Sequence, residues 1–210
     1  MISDKFQCAF IHIPKTGGTS IEQAIWPNPA TRTAEELWGP DKAIKGALQH
    51  LSAKDVRDRI GIDKFDKLFK FTVVRNPWDK AVSQYIYTTQ QRPDLRRLLK
   101  IDANADFEVY LEAIANTETT HPHWMPQHLF INDGDKPIVD YIGRFELFES
   151  THDDIMSRIG IDKKMLRLNP SKRMKDYRYY YSKRCVDLVN KIYSKDIEQF
   201  EYRFNKPIFV

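Results

Sequence analysis

Between Pro14 and Ser20 the chain reads Pro-Lys-Thr-Gly-Gly-Thr-Ser. The adjacent glycines Gly17 and Gly18 let the backbone turn with its N–H groups facing inward. Thr19 and Ser20 offer hydroxyl donors, and Lys15 adds a full positive charge. The apolar run Phe6 to Ile13 precedes this loop and a helical pattern from Thr19 to Trp26 follows it. Strand, glycine turn and helix N-terminus together make a cradle for an anion, with a phosphate-like group as the best fit. It is not a Walker A loop, because that motif places its lysine after the glycines and Lys15 comes before them.

A second cluster lies at Val74-Arg75-Asn76-Pro77-Trp78-Asp79-Lys80-Ala81-Val82-Ser83. Arg75 ends the apolar run Leu68 to Val74, at the position where an ATPase would carry a magnesium-binding Asp. Asn76 as N-cap and Pro77 at the first helical position start a helix, and Ser83 falls about two turns into it. Arg75 offers a bidentate grip on a dianion and Ser83 a hydroxyl bond to the same group. The alternative for Arg75 is a structural salt bridge. Asp79 reads as dipole and cap chemistry and Trp78 as packing.

These clusters need elements to hold them. Phe6–Ile13 and Leu68–Val74 read as buried strands, Ile138–Phe145 as a third and Met165–Leu168 as a fourth. Ser52 caps a helix that Gly61 closes, with Asp55 at the capping-box position. Phe107–Ala115 is helical, Ser150 is expected to cap a helix running to Ile159, and Ser182–Phe200 reads as one long amphipathic helix. Residues 27–45 are an irregular excursion rich in Pro and Gly. Strands alternating with helices predict an α/β domain with a mainly parallel sheet, ligands binding at the C-terminal ends of its strands.

Composition bounds the reading. The 210 residues suffice for one domain, expected to span 1–210, and 41% hydrophobic against 30% charged residues is a globular balance. A net charge of +4 suits an anionic ligand but not a protein that coats nucleic acid. There is no apolar run long enough to span a membrane, no signal-peptide pattern, no acceptable N-glycosylation sequon and no C-x-x-C. Cys8 and Cys185 read as reduced buried thiols, and a cytoplasmic location is expected.

The first cluster with its strand, Phe10-Ile11-His12-Ile13-Pro14-Lys15-Thr16-Gly17-Gly18-Thr19-Ser20, resembles the 5′-phosphosulfate loop of the PAPS-dependent sulfotransferases. The second, Val73 to Ser83, resembles their 3′-phosphate motif. Tyr141-Ile142-Gly143-Arg144-Phe145-Glu146, and the tail through Tyr193, Asp196, Ile197, Phe200 and Tyr202, are similar to the branch acting on heparan and related glycans. The resemblance implies a P-loop-like three-layer α/β fold, its mainly parallel central sheet flanked by helices. It implies 3′-phosphoadenosine-5′-phosphosulfate (PAPS) as donor, PAP as product and no metal. Lys15 is then the partner of the leaving oxygen, the backbone of Thr16, Gly17, Gly18, Thr19 and Ser20 holds the 5′-phosphate, and Arg75 and Ser83 hold the 3′-phosphate. A late basic segment, with Lys172 and Arg173, closes over the adenosine in such enzymes.

An acceptor hydroxyl has a high pKa, so a general base is expected. Of the histidines His12, His50, His121, His123, His128 and His152, His12 lies in a strand and reads as packed or orienting. His50 stands just before the Ser52 cap, in the stretch from which the resembled branch draws its catalytic histidine, and is the favoured base. Glu22 and Asp55 are weaker candidates. Trp124 and Gln127 are candidates to line an acceptor cleft, since aromatic faces stack on sugars, and a core role for Trp124 is equally open. His121, His123 and His128 do not make a convincing zinc set, lacking Cys and a well-spaced carboxylate. The acceptor class expected is a saccharide hydroxyl. The rival readings are a P-loop kinase, disfavoured by Lys15 and Arg75, and a non-enzymatic glycan- or anion-binding module using the basic-aromatic run 172–184. The sequence leaves oligomeric state open.

Overall fold

The computed structural model describes residues 1–27, 49–117, 121–162 and 174–205. The backbone divides into two compact units, Met1–Val74 with Gln127–Asn169, and Arg75–Pro126 with Pro170–Val210.

The first unit carries the sheet. Its strands are β1 (Ile2–Ser3), β2 (Cys8–Ile11), β3 (Phe69–Val74) and, beyond a small hairpin of β4 (Asn132–Asp133) and β5 (Lys136–Pro137), β6 (Tyr141–Arg144). The order is β1-β2-β3-β6, with β1 antiparallel and the other neighbours parallel. Register explains the apolar runs. Cys8 pairs with Phe69, Phe10 with Phe71, and Phe71 with Tyr141, so alternate residues share a face.

That face is covered by α1 (Gly18–Ile25) through Ile21, Ala24 and Ile25. The helix Phe148–Arg158, reached from β6 through a 3-10 turn, covers it through Ile155 and Met156. On the other face lies α3 (Ile62–Lys67), which follows α2 (Ala53–Ile60) and over whose Phe65 ring the Lys70 amine stands at 5.4 Å. A sheet with helices on both faces is the three-layer α/β arrangement expected. β3 alternates over most of its length: Phe69, Phe71 and Val73 share one face, while Lys70 and Thr72 on the other are buried and paired, the Lys70 amine donating to the Leu68 carbonyl at 3.0 Å and the Thr72 hydroxyl to the Ile11 carbonyl at 2.7 Å.

The second unit is helical among the described residues: α4 (Pro77–Gln91), α5 (Pro93–Leu99), α6 (Phe107–Asn116), α9 (Lys183–Ile192) and α10 (Ser194–Gln199). The short α7 (His128–Ile131) and the helix Phe148–Arg158, α8, belong to the first unit. Tyr85, Phe107, Tyr110 and Tyr180 form an aromatic cluster with centroids 5.3–6.4 Å apart in its interior.

Local signals held where they were chemical. Ser52 and Asp55 form the reciprocal capping box, and the Asn76 side chain accepts from the N–H groups of Trp78 and Asp79. Ser182 caps α9 through Cys185 N–H. Two expectations are corrected. Ser150 is no N-cap; it sits inside α8, whose first turn begins at Phe148 straight from the 3-10 turn, and its hydroxyl donates to the Leu147 carbonyl. The long C-terminal helix is two, broken at Tyr193 with φ −117° and ψ 27°, where the buried phenol donates to the Trp124 carbonyl. The proposed strand Met165–Leu168, Lys172, Arg173 and nearly all of the excursion 27–45 lie outside the described residues.

Candidate active site

The C-terminal end of β2 runs into the lysine loop. Thr16 Oγ1 donates to the Ile13 carbonyl at 2.8 Å and closes the turn. Lys15 adopts φ +67°, a left-handed conformation that a lysine takes up only when its surroundings impose it. Gly17, with φ +85°, caps α1. A Cβ there would stand 2.6 Å from Phe148 Cε2, and one at Gly18 would stand 2.2 Å from the His12 ring. The two glycines therefore differ in purpose: Gly17 supplies a left-handed conformation as well as room, and Gly18 supplies room alone. Among the described residues no side chain caps α1 and its first turn holds no acidic residue, so its N-terminal N–H groups suit an external anion. Thr19 is exposed, Lys15 half-buried, and Thr16 and Ser20 buried.

Beneath the loop lies a polar cluster. His12 stacks on Phe10 at 5.3 Å, and its Nδ1 is 2.6 Å from Glu22 Oε1. The Gln49 amide donates to the same oxygen at 2.7 Å. His50 packs edge-on against the His12 ring at 4.7 Å, and its Nδ1 donates to the His12 carbonyl at 2.9 Å. A carbonyl can only accept, so this bond puts the His50 proton on Nδ1 and leaves Nε2 as the basic nitrogen. Burial draws His50 down to about 3, and the nearby His12 adds to the effect, so the imidazole is neutral at pH 7. Burial alone would raise the Glu22 carboxyl; the His12 and Gln49 contacts outweigh it and hold the group below its usual value.

In the second unit, Arg75 follows β3 directly and is buried. Asp79 Oδ2 accepts from Arg75 Nε at 2.8 Å and lies 2.7 Å from one terminal nitrogen, aiming the guanidinium from one turn along α4. Asp79 is thus more than a helix-dipole residue. Asn76 Nδ2 lies 3.4 Å from Tyr177 Oη, and the Tyr181 hydroxyl donates to the Trp78 carbonyl, so the tyrosines of the late segment pack on the start of α4. Ser83 is buried two turns along.

Sequence reasoning missed Lys80. It is buried over the Tyr193 ring at 5.6 Å, lowered to about 8 by burial and by Arg75, with buried Asp196 opposing. An interior lysine has no periodicity signal; only its fully buried surroundings reveal it.

Trp124 is 4% exposed and stacks on His121 at 4.7 Å, so the half-buried His121 is the member of that pair that solvent reaches. Gln127 is completely buried. His123 Nδ1 lies 3.1 Å from Gln84 Oε1 and its Nε2 3.4 Å from Arg92, a structural environment. Among the described residues no group of His, Cys, Asp or Glu is arranged to hold a metal ion.

A glycine-turned lysine loop after one parallel strand and a carboxylate-aimed arginine after the next are the features to compare with known proteins. The model of the sulfotransferase family matches residues 1–203. The chain belongs to the sulfotransferase family. An uncharacterized protein of Archaeoglobus fulgidus is 30% identical over 115 residues, covering 54% of this chain and 87% of that one. No solved structure matches. This sulfotransferase has, among its described residues, no helix long and apolar enough to cross a membrane.

Proposed function

We propose that this sulfotransferase moves a sulfuryl group from PAPS to a hydroxyl of a saccharide, with residues 1–210 working as one catalytic domain. The observation that carries the reading is the lysine loop, whose glycines exclude side chains and whose backbone turns toward an uncapped helix N-terminus. The backbone from Thr16 to Ser20 would hold the 5′-phosphate. Arg75, aimed by Asp79, and Ser83 would hold the 3′-phosphate that distinguishes this donor from ATP. Lys172 and Arg173 belong to the same proposal, closing over the nucleotide.

Transfer needs positioning and charge stabilisation more than covalent help from the protein. His50 takes the acceptor proton on Nε2 as the acceptor oxygen bonds to sulfur and the sulfur–phosphate bridge breaks. Lys15 balances the charge that develops on the leaving oxygen, and PAP departs. A base at about 3 is weak, but its depression comes from burial and from the positive field of its neighbours. A polyanionic donor on the loop draws it back toward the operating pH, where a base works best. Trp124 and Gln127 are the candidates for the acceptor side; Trp124, itself buried, stacks on the half-buried His121.

The experiment is transfer from PAPS to pools of sugars, lipids, phenols and peptides without added metal, with mass spectrometry detecting the added sulfate. Sulfated sugars that vanish with Lys15→Ala are expected. A thermal shift given by ADP with magnesium and not by PAP would instead favour a kinase. His50→Ala should lower turnover at least tenfold and leave PAP affinity near wild type; unchanged turnover removes His50 from the mechanism.

A further inference from the structure

Glu22 is a buried carboxylate that the phosphate chemistry does not use. Burying such a charge is unfavourable by several kcal/mol unless it is well paired. Through Oε1 Glu22 meets His12 Nδ1 at 2.6 Å and accepts from Gln49 Nε2 at 2.7 Å. Both of these partners lead to one residue. Gln49 is the chain neighbour of His50, and His12 supplies both the carbonyl that accepts from His50 Nδ1 and the ring against which His50 packs. The contacts form a closed circuit from α1 to the end of β2, across to His50, and back through Gln49. His12 is held on its remaining sides by the Phe10 stack and the close approach of Gly18.

We infer that Glu22 is a positioning residue for His50: by holding the His12 ring and the Gln49 amide, it fixes the imidazole with its proton on Nδ1 and Nε2 presented as the base. The inference rests on the reading of His50 as the general base, and it goes further by assigning the orientation of that base to a carboxylate on α1. Among the described residues, those acting on His50 include His12 just after β2, Glu22 on α1 and the Met1 amine beside β1; of these, Glu22 is the anion. Its charge favours the protonated imidazole, so neutralising it moves the His50 titration to lower pH.

The test uses the whole chain and three variants. Glu22→Ala removes acceptor and charge, Glu22→Gln keeps an acceptor oxygen without the charge, and Gln49→Ala removes one of the two links. Two-bond proton–nitrogen spectra of the imidazoles report the His50 tautomer without reference to activity. Wild type is expected to show His50 protonated on Nδ1, and Glu22→Ala a mixture of tautomers. With PAPS and an accepting sugar, Glu22→Ala should lose at least tenfold in kcat with PAP affinity within about twofold of wild type. Glu22→Gln should recover most of that loss while the ascending limb of its kcat–pH profile moves to lower pH, and Gln49→Ala should lose less than Glu22→Ala. A purely structural Glu22 would lower the melting midpoint yet leave the tautomer and the pH limb of the folded protein unchanged, which overturns the inference. Should Glu22→Ala not fold, an unchanged tautomer in Gln49→Ala together with an unmoved ascending pH limb in Glu22→Gln overturns it equally. If wild type transfers no sulfuryl group at all, the donor reading falls by itself and the tautomer spectra still decide the role of Glu22.

Discussion

Replacing Gly18 by Ala sets two physical effects against each other. Gly18 is the first residue of α1 and has ordinary helical geometry, so helix propensity alone would favour Ala by about 1 kcal/mol. The new Cβ, however, would lie 2.2 Å from His12 Cδ2 and Nε2, against an ordinary contact of about 3.5–4.0 Å. The ring cannot retreat freely, because Phe10 stacks on it and Glu22 holds Nδ1. Overpacking costs about 1–3 kcal/mol. A His12 pushed off Glu22 leaves a buried group short of a partner, about 1–3 kcal/mol more. The net expectation is a loss of about 3 kcal/mol, opposite in sign to propensity. Gly17→Ala combines a left-handed backbone, about 1–2 kcal/mol, with a clash against Phe148, a half-buried ring that can partly yield. Gly61→Ala is the control: φ is +83°, but nothing lies within 4 Å of the new methyl, so only the conformational term of about 1–2 kcal/mol remains. Urea unfolding at pH 7 measures the three losses, and calorimetric titration with PAP measures binding by the folded variants. PAP affinity should fall for Gly17→Ala and Gly18→Ala and hold for Gly61→Ala. A Gly18→Ala protein that unfolds at or above the wild-type midpoint would refute the idea that His12 is locked beneath the loop.

Other perturbations test the second unit. Arg75→Ala should weaken PAP binding while leaving a nucleotide without the 3′-phosphate little changed, and Asp79→Asn should produce a milder version of the same selectivity by freeing the guanidinium to turn; equal losses for both nucleotides would make Arg75 structural. For Lys80, the folded value of about 8 lies below the ordinary 10.5, so between these the unfolded chain binds the extra proton and stability contributed through this group rises with pH. The stability difference between wild type and Lys80→Met should shift in favour of wild type by about 3 kcal/mol across pH 8 to 10.5, read from urea midpoints. Above pH 10 the raised phenols of Tyr110, Tyr181 and Tyr193 act in the opposite direction in both proteins and cancel in the difference. A flat difference would mean Lys80 is hydrated.

Much of the site was legible because it is built from local chemistry. Lys15, the paired glycines and the caps at Ser52, Asn76 and Ser182 act on backbone within a few residues of themselves, so their spacing carries their meaning. The apolar runs Phe6–Ile13 and Leu68–Val74 announced buried strands for the same reason, although β2 keeps only Cys8–Ile11. Contacts between distant segments were not legible. Nothing in the order of residues says that Glu22 meets Gln49, twenty-seven positions away, or that the His50 proton is held by the His12 carbonyl. Helix continuity also failed as a guide at Tyr193, where a bond to the Trp124 carbonyl accompanies the break. Sequence by itself determined the glycine-turned lysine loop and the alternation of strand and helix, since both follow from conformational preferences and hydrophobic burial over short stretches. Only the tertiary structure decided which nitrogen of His50 is basic, which carboxylate aims Arg75 and which lysine is stripped of water. Those outcomes depend on dielectric surroundings and partners that exist once the chain has closed on itself.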